Sequence, residues 1–227
     1  MNKKSLILFL FLILLGILSQ NIFGQIPNGF GVKSGFTSAW QTEIIGGSKV
    51  NGIDNKSGFI FGFYAAWFKS SWYSFTTELN YSQKGMQTEI PFTTALQPDG
   101  TGEFIRSNLR LSYLSLSILP NIYIEIQNIK LYAFTGPRFD VEISKGNNVS
   151  GPEPSRTFFS EEVEKQLKNY KSFQFGLTIG VGIQVSKLLP FSFGVEARYN
   201  PDISKVYEVN NLYLKNNSMD LLLTIEL

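Results

Sequence analysis

From Phe173 to Val185 every second residue is apolar: Phe173, Phe175, Leu177, Ile179, Val181, Ile183 and Val185. Gln174, Gly176, Thr178, Gly180, Gly182 and Gln184 lie between them. Strict alternation places the two sets on opposite faces of one strand. At about 3.3 Å per residue the stretch runs ~40 Å, which at a tilt of roughly 40° covers the ~25 Å apolar band of a membrane barrel. The second face is small, polar and nearly uncharged, a poor surface to offer bulk water.

The pattern recurs along the chain and predicts seven further strands. The first sets Phe30, Val32, Phe36 and Trp40 against Gly31, Lys33, Gly35 and Thr37. The second sets Phe59, Phe61, Phe63, Ala65 and Trp67 against Gly58, Ile60, Gly62 and Tyr64. In the third, Tyr73, Phe75, Thr77, Leu79 and Tyr81 oppose Ser74, Thr76, Glu78, Asn80 and Ser82. The fourth has Leu114, Leu116 and Ile118 against Tyr113, Ser115 and Ser117, with its register obscured near Pro120. In the fifth, Leu131, Ala133, Phe139, Val141 and Ile143 oppose Tyr132, Phe134, Gly136, Arg138, Asp140 and Glu142. Phe173–Val185 is the sixth. The seventh places Phe191, Phe193, Val195, Ala197 and Tyr199 opposite Ser192, Gly194, Glu196, Arg198 and Asn200. The eighth places Met219, Leu221, Leu223, Ile225 and Leu227 opposite Asp220, Leu222, Thr224 and Glu226. Eight is an even number, as single-chain bacterial barrels require.

Connection lengths point the same way. Segments near 41–57, 84–108, 144–171 and 200–216 are long and rich in Asn, Gly, Ser, Thr and Pro, whereas those near 69–71, 121–129 and 186–190 are short. Long extracellular loops and short periplasmic turns are a barrel signature. The expected fold is therefore all-β: an eight-stranded, antiparallel, up-and-down transmembrane β-barrel with that asymmetry. Within the third long segment, Ser160 to Lys168 predicts a short helix capped by Ser160, with acids in its first turn and lysines in its last. Val163, Leu167 and Tyr170 share one face, but the favoured expectation is a solvated helical turn rather than a docked one.

Alternation alone leaves open which face points inward. A soluble barrel of lipocalin type would need the Phe-rich face inside, but eight strands enclose an interior only just wide enough for side chains. So many Phe, Leu and Ile side chains would overfill it. The glycines of the opposite face leave room for Tyr and Arg instead. Trp40, Trp67, Trp72, Tyr73, Tyr81 and Tyr199 lie near strand ends, as in the aromatic girdles of membrane barrels. Lipid outside is the favoured reading, and the first and last strands must then pair so that no backbone edge is left in hydrocarbon.

The N-terminus reads as a secretory leader over 1–24: Lys3 and Lys4, then an apolar core from Leu6 to Leu18 too short to span a membrane, with Gly24 a plausible last residue before cleavage. The barrel domain is expected over 25–227. Lys and Arg number 20 and Asp and Glu 18, so loss of Lys3 and Lys4 leaves 18 of each. The pI near 8.6 then carries no message about nucleic acid, and no nucleic-acid partner is expected. Without cysteine there is no disulfide or thiolate chemistry, and without histidine the usual general bases and triads of small barrel enzymes are missing. A zinc site is equally unexpected, and neither a cofactor nor a catalytic residue is assigned.

The inward face collects Lys33, Glu78, Arg138, Asp140, Glu142, Glu196, Arg198, Asp220 and Glu226. These are candidate members of a lumen charge network. Isolated buried charges are costly, so mutual pairing is expected. Arg138 with Asp140, and Glu196 with Arg198, each two apart on one strand face, are the expected pairs. A proton or ion path is the competing reading of the same residues.

Several short motifs occur in a characteristic order: Gly31-Val32-Lys33-Ser34-Gly35, Glu78 to Gly85, Tyr113-Leu114-Ser115-Leu116 leading to Pro120, Phe134-Thr135-Gly136-Pro137, Phe175-Gly176 with Gly180-Val181-Gly182, and Glu196-Ala197-Arg198-Tyr199. In these the chain resembles the PorT-like outer-membrane β-barrel proteins, across essentially its whole length after the leader. It departs at Ser115 and Ser117, where that family often has Glu and Pro. The resemblance implies an eight-stranded barrel in the outer membrane of a Gram-negative cell. One branch of the family is associated with protein secretion, a role that does not carry over residue by residue. The partners expected are outer-membrane lipid, the barrel-assembly machinery during insertion, and a protein or surface ligand at the extracellular loops. The expected role is structural or loop-mediated binding, or accessory to a secretion assembly, with a small solute or ion channel or transporter of the outer membrane as the alternative.

Overall fold

The computed structural model describes residues 27–50, 55–68, 70–92, 102–153, 155–186 and 191–227, so the expected leader lies outside the described residues. Among these, the strands are β1 (Gly29–Ile45), β2 (Ser48–Val50), β3 (Lys56–Trp67), β4 (Tyr73–Pro91), β5 (Phe104–Ile126), β6 (Ile129–Ser150), β7 (Phe173–Val185), β8 (Ser192–Pro201), β9 (Tyr207–Val209) and β10 (Leu212–Glu226). A helix, α1 (Ser155–Leu167), precedes β7. β2 and β9 are short strips on the outer ends of β1 and β10; the other eight form the wall.

Around the wall the order is β1-β3-β4-β5-β6-β7-β8-β10, all antiparallel, and β10 returns to pair with β1 from Gly31 opposite Glu226 to Ile45 opposite Leu212. The sheet is closed, and every wall strand has a neighbour on each side. The two faces separate as the alternation predicts. Phe36 is 76% exposed and Leu223 66% on the outside, whereas Lys33 is 5% and Asp140 0% exposed within. Ten residue steps from Phe30 to Trp40 make ~33 Å of strand, or ~25 Å at a tilt of roughly 40°.

Aromatic pairs mark both ends of this band. Trp40 and Tyr199 stack at 6.3 Å near the long connections, and Trp72 meets Tyr73 edge-on at 5.0 Å near the tight turns. Inside, glycines make seats for rings. A Cβ at Gly182 would overlap the Tyr132 ring, and one at Gly31 the ring of Tyr64. Both rings belong to the adjacent strand and occupy the space a Cβ would take, which lets aromatic side chains fit a narrow interior.

Several boundaries differ from the expectation, always because the strands are longer. The fourth predicted strand, 113–118, is the middle of β5, which runs from Phe104 to Ile126 straight through Pro120. The β5–β6 ladder is interrupted between Ser117↔Arg138 and Asn121↔Phe134, and both Pro120 and Pro137 fall in that gap. Neither proline has an N–H to give, so both sit where the ladder makes no demand. The turn expected over 121–129 shrinks to Gln127 and Asn128, with Gln127 at φ 56°. At the other end β4, β5, β6 and β10 extend into segments read as loops, because beyond the lipid band pairing continues without apolar alternation.

The helix also departs from expectation. It begins at Ser155, five residues before Ser160, and the Glu153 carboxylate accepts hydrogen bonds from the Thr157 amide (3.3 Å) and hydroxyl (2.9 Å). It is docked rather than solvated: Leu167 and Tyr170 are buried with Leu109, Leu111, Tyr113, Val206, Tyr207 and Leu214, and Val163 packs against them. Leu109, Leu111 and Tyr113 are inward residues of β5, so this apolar cluster stoppers the lumen at the long-connection end.

Candidate functional site in the barrel lumen

Below that stopper the lumen holds two compact ionic clusters, each formally neutral. The first lies nearer the tight turns. Lys33 on β1 donates to Glu78 on β4 at 2.6 Å and to Glu196 on β8 at 2.7 Å. Arg198 donates through Nη1 and Nη2 to the two oxygens of Glu78, at 2.6 and 3.0 Å, and through Nε to Glu196 at 2.9 Å. The Tyr132 hydroxyl donates to Glu196 at 2.7 Å and Asn80 to Glu78 at 3.1 Å. Cation faces are covered as well: Lys33 lies 4.5 Å from the Tyr64 ring centre and Arg198 5.0 Å from that of Phe134.

The second cluster sits nearer the long connections. Lys84 donates to Asp140 at 2.6 Å and stands 3.6 Å from Asp202. Arg138 donates through Nε to Asp140 at 3.0 Å, through Nη1 to the Leu177 carbonyl at 3.0 Å, and through Nη2 to Asp202. All eight charged side chains of the two clusters are at most 6% exposed. Burial of this kind is tolerated where each charge is paired and hydrogen-bonded, as it is in both clusters.

Between the second cluster and the stopper runs a chain of polar side chains. Tyr170 donates to Gln41 (3.3 Å), Gln41 to Asn216 (2.8 Å), Asn216 to Gln174 (2.9 Å) and Gln174 to the Tyr113 hydroxyl (2.6 Å). Burial raises the Tyr170 phenol well above its ordinary value. At the tight-turn end, Glu226 accepts from Tyr64 (3.3 Å) and Gln184 (3.1 Å). The space left between the clusters is a cavity of about 20 Å³ lined by Asn80, Ser82, Lys84, Arg138, Arg198 and Asp220 among others, room for about one water. Roomier concavities lie outside the lumen, such as one of about 840 Å³ on the apolar outer wall lined by Trp72, Ile124, Leu131 and Val181.

Every residue of the expected lumen network faces the interior. The pairs Arg138–Asp140 and Glu196–Arg198 both form. Lys33 and Glu78 join the second of these. Asp220 is buried apart from the clusters, with one oxygen accepting from Asn200 at 2.6 Å and Oδ1 without a protein partner. Glu142 pairs with Lys145 at 3.1 Å, outside both clusters. Lys84 and Asp202 were not anticipated, because both lie in segments read as loops. Period-two counting continued from Ser82 would have put Lys84 on the inward face. Among the described residues no group of three or more His, Cys, Asp or Glu converges to hold a metal. The carboxylates of the clusters are held by cations, which leaves them poorly placed for proton transfer to a substrate.

The sequence matches the family model described as outer membrane protein beta-barrel domain over residues 21–208. No curated protein matches it. Among solved structures it is similar to OprG of Pseudomonas aeruginosa, at 13% identity, covering 91% of this chain and 99% of that one with a TM-score of 0.43. It is also similar to the attachment invasion locus protein Ail of Yersinia pestis, at 14% identity, 86% and 98% coverage and a TM-score of 0.35. A third likeness is to the outer membrane protease OmpT of Escherichia coli, at 10% identity, 88% and 96% coverage and a TM-score of 0.46.

Proposed function

Because the chain belongs to the outer membrane protein beta-barrel domain family, we propose that it is a non-enzymatic outer-membrane barrel, plugged by its own side chains, whose task is performed by its long connections. The observation that carries this reading is the lumen itself. Two neutral ionic clusters bridge non-adjacent strands, and an apolar stopper closes one end. A solute would have to break buried, mutually paired charges to pass, each of which is costly to part.

With the lumen filled, what remains to meet a partner is the surface at the long-connection end: the extended β4–β5–β6 ribbon, α1 and the β9 strip. In this reading that end faces the exterior and the tight turns face the periplasm. Residues 1–24 serve as a cleaved leader, and the alternating last strand is read by the assembly machinery during insertion. The ordered motifs from Gly31-Val32-Lys33 to Glu196-Ala197-Arg198 support a PorT-like branch of the family. A protein or surface ligand bound by the loops, or a neighbouring secretion assembly, is the partner this arrangement would serve.

The test is single-channel recording of the purified, refolded protein in a planar bilayer. Electrical silence is the expected result. Reproducible, charge-selective steps, altered by substitution of Arg138 or Glu196, would overturn the plugged lumen and establish a channel.

A further inference from the structure

Among the described residues, two cations at the long-connection end of the wall have no acidic partner. Arg110 lies on the outward, exposed face of β5, four residues beyond Leu114, where the apolar outward row begins. Its cross-strand neighbour on β4 is Gly85. The Lys56 stem covers that glycine, since a Cβ there would come within 3.2 Å of Lys56 Cδ, and its ammonium donates to Asn108, the next outward residue above Arg110. Two like charges are therefore held side by side, the Lys56 stem over the glycine that faces Arg110 and its ammonium on Asn108.

Like charges set together without a counter-charge are unfavourable. Elsewhere on this ribbon the problem is solved internally: Arg106 is engaged by Glu89 at 2.9 Å. Among the described residues, neither Arg110 nor Lys56 has an ion pair with a carboxylate. Glycine at position 85, with φ 147°, keeps the wall low between them. Four residues at about 3.3 Å per residue, tilted by roughly 40°, put Arg110 ~10 Å above Leu114, the level of lipid headgroups.

We propose that Lys56 and Arg110 form a binding site for the phosphate of an anionic lipid in the leaflet around the long-connection end. The guanidinium fork offers bidentate hydrogen bonds to phosphate oxygens, the ammonium a second point of charge, and the apolar wall below accommodates the acyl chains. The site goes beyond the plugged-lumen reading and does not depend on it, since none of the eight charges of the two lumen clusters takes part in it.

The full protein, refolded into nanodiscs of phosphatidylcholine with or without phosphatidic acid, is examined by native mass spectrometry for retained lipid. Wild type retains phosphatidic acid over phosphatidylcholine. The double variant Lys56→Gln/Arg110→Gln, and to a lesser degree Arg110→Gln alone, lowers that preference by about fivefold or more. Heat-modifiable migration confirms that both variants fold. Equal retention of the two lipids, or an unchanged preference in the double variant, overturns the site. Displacement of phosphatidic acid by millimolar inorganic phosphate overturns the lipid source and assigns the site to free phosphate.

Discussion

Arg198 grips Glu78 across the full width of the barrel. β8 and β4 stand four places apart in a ring of eight, so the bidentate contact, at 2.6 and 3.0 Å, joins opposite walls. Lys33, two places from each, ties the same two walls through Glu78 and Glu196. The cluster is a strut as well as a plug. It holds the cross-section fixed by contacts between residues 45, 120 and 163 apart in sequence.

Removing one member of the strut should therefore cost more than removing a surface pair. Arg198→Ala leaves Glu78 and Glu196 with one ammonium between them, and the expected loss is about 3–5 kcal/mol. Urea unfolding of the refolded protein in lipid vesicles measures it. In a double-mutant cycle with Glu78→Gln, the two losses should be far from additive. Additive losses near zero would mean that the strut contributes nothing to stability.

The glycine seats lead to a second expectation. Gly182→Ala would push the Tyr132 ring off the backbone and lengthen its hydrogen bond to Glu196. Overpacking of this sort costs about 1–3 kcal/mol. Adding Tyr132→Leu to Gly182→Ala should restore part of the packing, although Glu196 then lacks its phenol donor. If Gly182→Ala unfolds at the same urea concentration as wild type, the ring does not need the seat.

Much of this lumen was legible because the lipid band enforces alternation. Wherever the outward residue must be apolar, the inward one declares itself, and Lys33, Glu78, Arg138, Asp140, Glu196 and Arg198 were found in that way. Above the band the outward face meets water, so it can be as polar as the inward one and the alternation fades. Lys84 and Asp202 lie in that region, and Leu109 and Leu111 fall between the expected loop near 84–108 and the expected strand from Tyr113, assigned to neither until β5 is seen to run through them. The helix face Val163, Leu167 and Tyr170 was visible, but the surface it docks on was not, because that surface is assembled from β5, β9 and β10. Local spacing gave the pairs two apart; partners across the ring have no signature in a single sequence.

The stopper can be tested separately from the strut. Leu167 is 7% exposed in the apolar cluster, and Leu167→Asp would bury a charge among apolar side chains. The expected result is release of α1, read as faster proteolytic cleavage between 151 and 172 with heat-modifiable migration preserved. A truncation such as Leu167→Ala, costing about 2–5 kcal/mol in a packed site, should produce a smaller increase. Equal cleavage of wild type and Leu167→Asp would show that α1 is not held down.

The outward face permits the sharpest discrimination between a membrane barrel and a soluble one. Leu221 is 58% exposed and lies opposite Phe36, near the middle of the apolar band. On a soluble protein an exposed Leu→Arg change alters stability by only about 0.5 kcal/mol. At the bilayer midplane the same change costs about 2–4 kcal/mol, falling toward zero at the interfaces. Leu221→Arg should therefore lower the free energy of unfolding from vesicles by that larger amount. Ser38→Arg, two residues beyond Phe36 on the way to the Trp40 girdle, should cost less. Equal, negligible losses at both positions would mean that this face does not meet hydrocarbon.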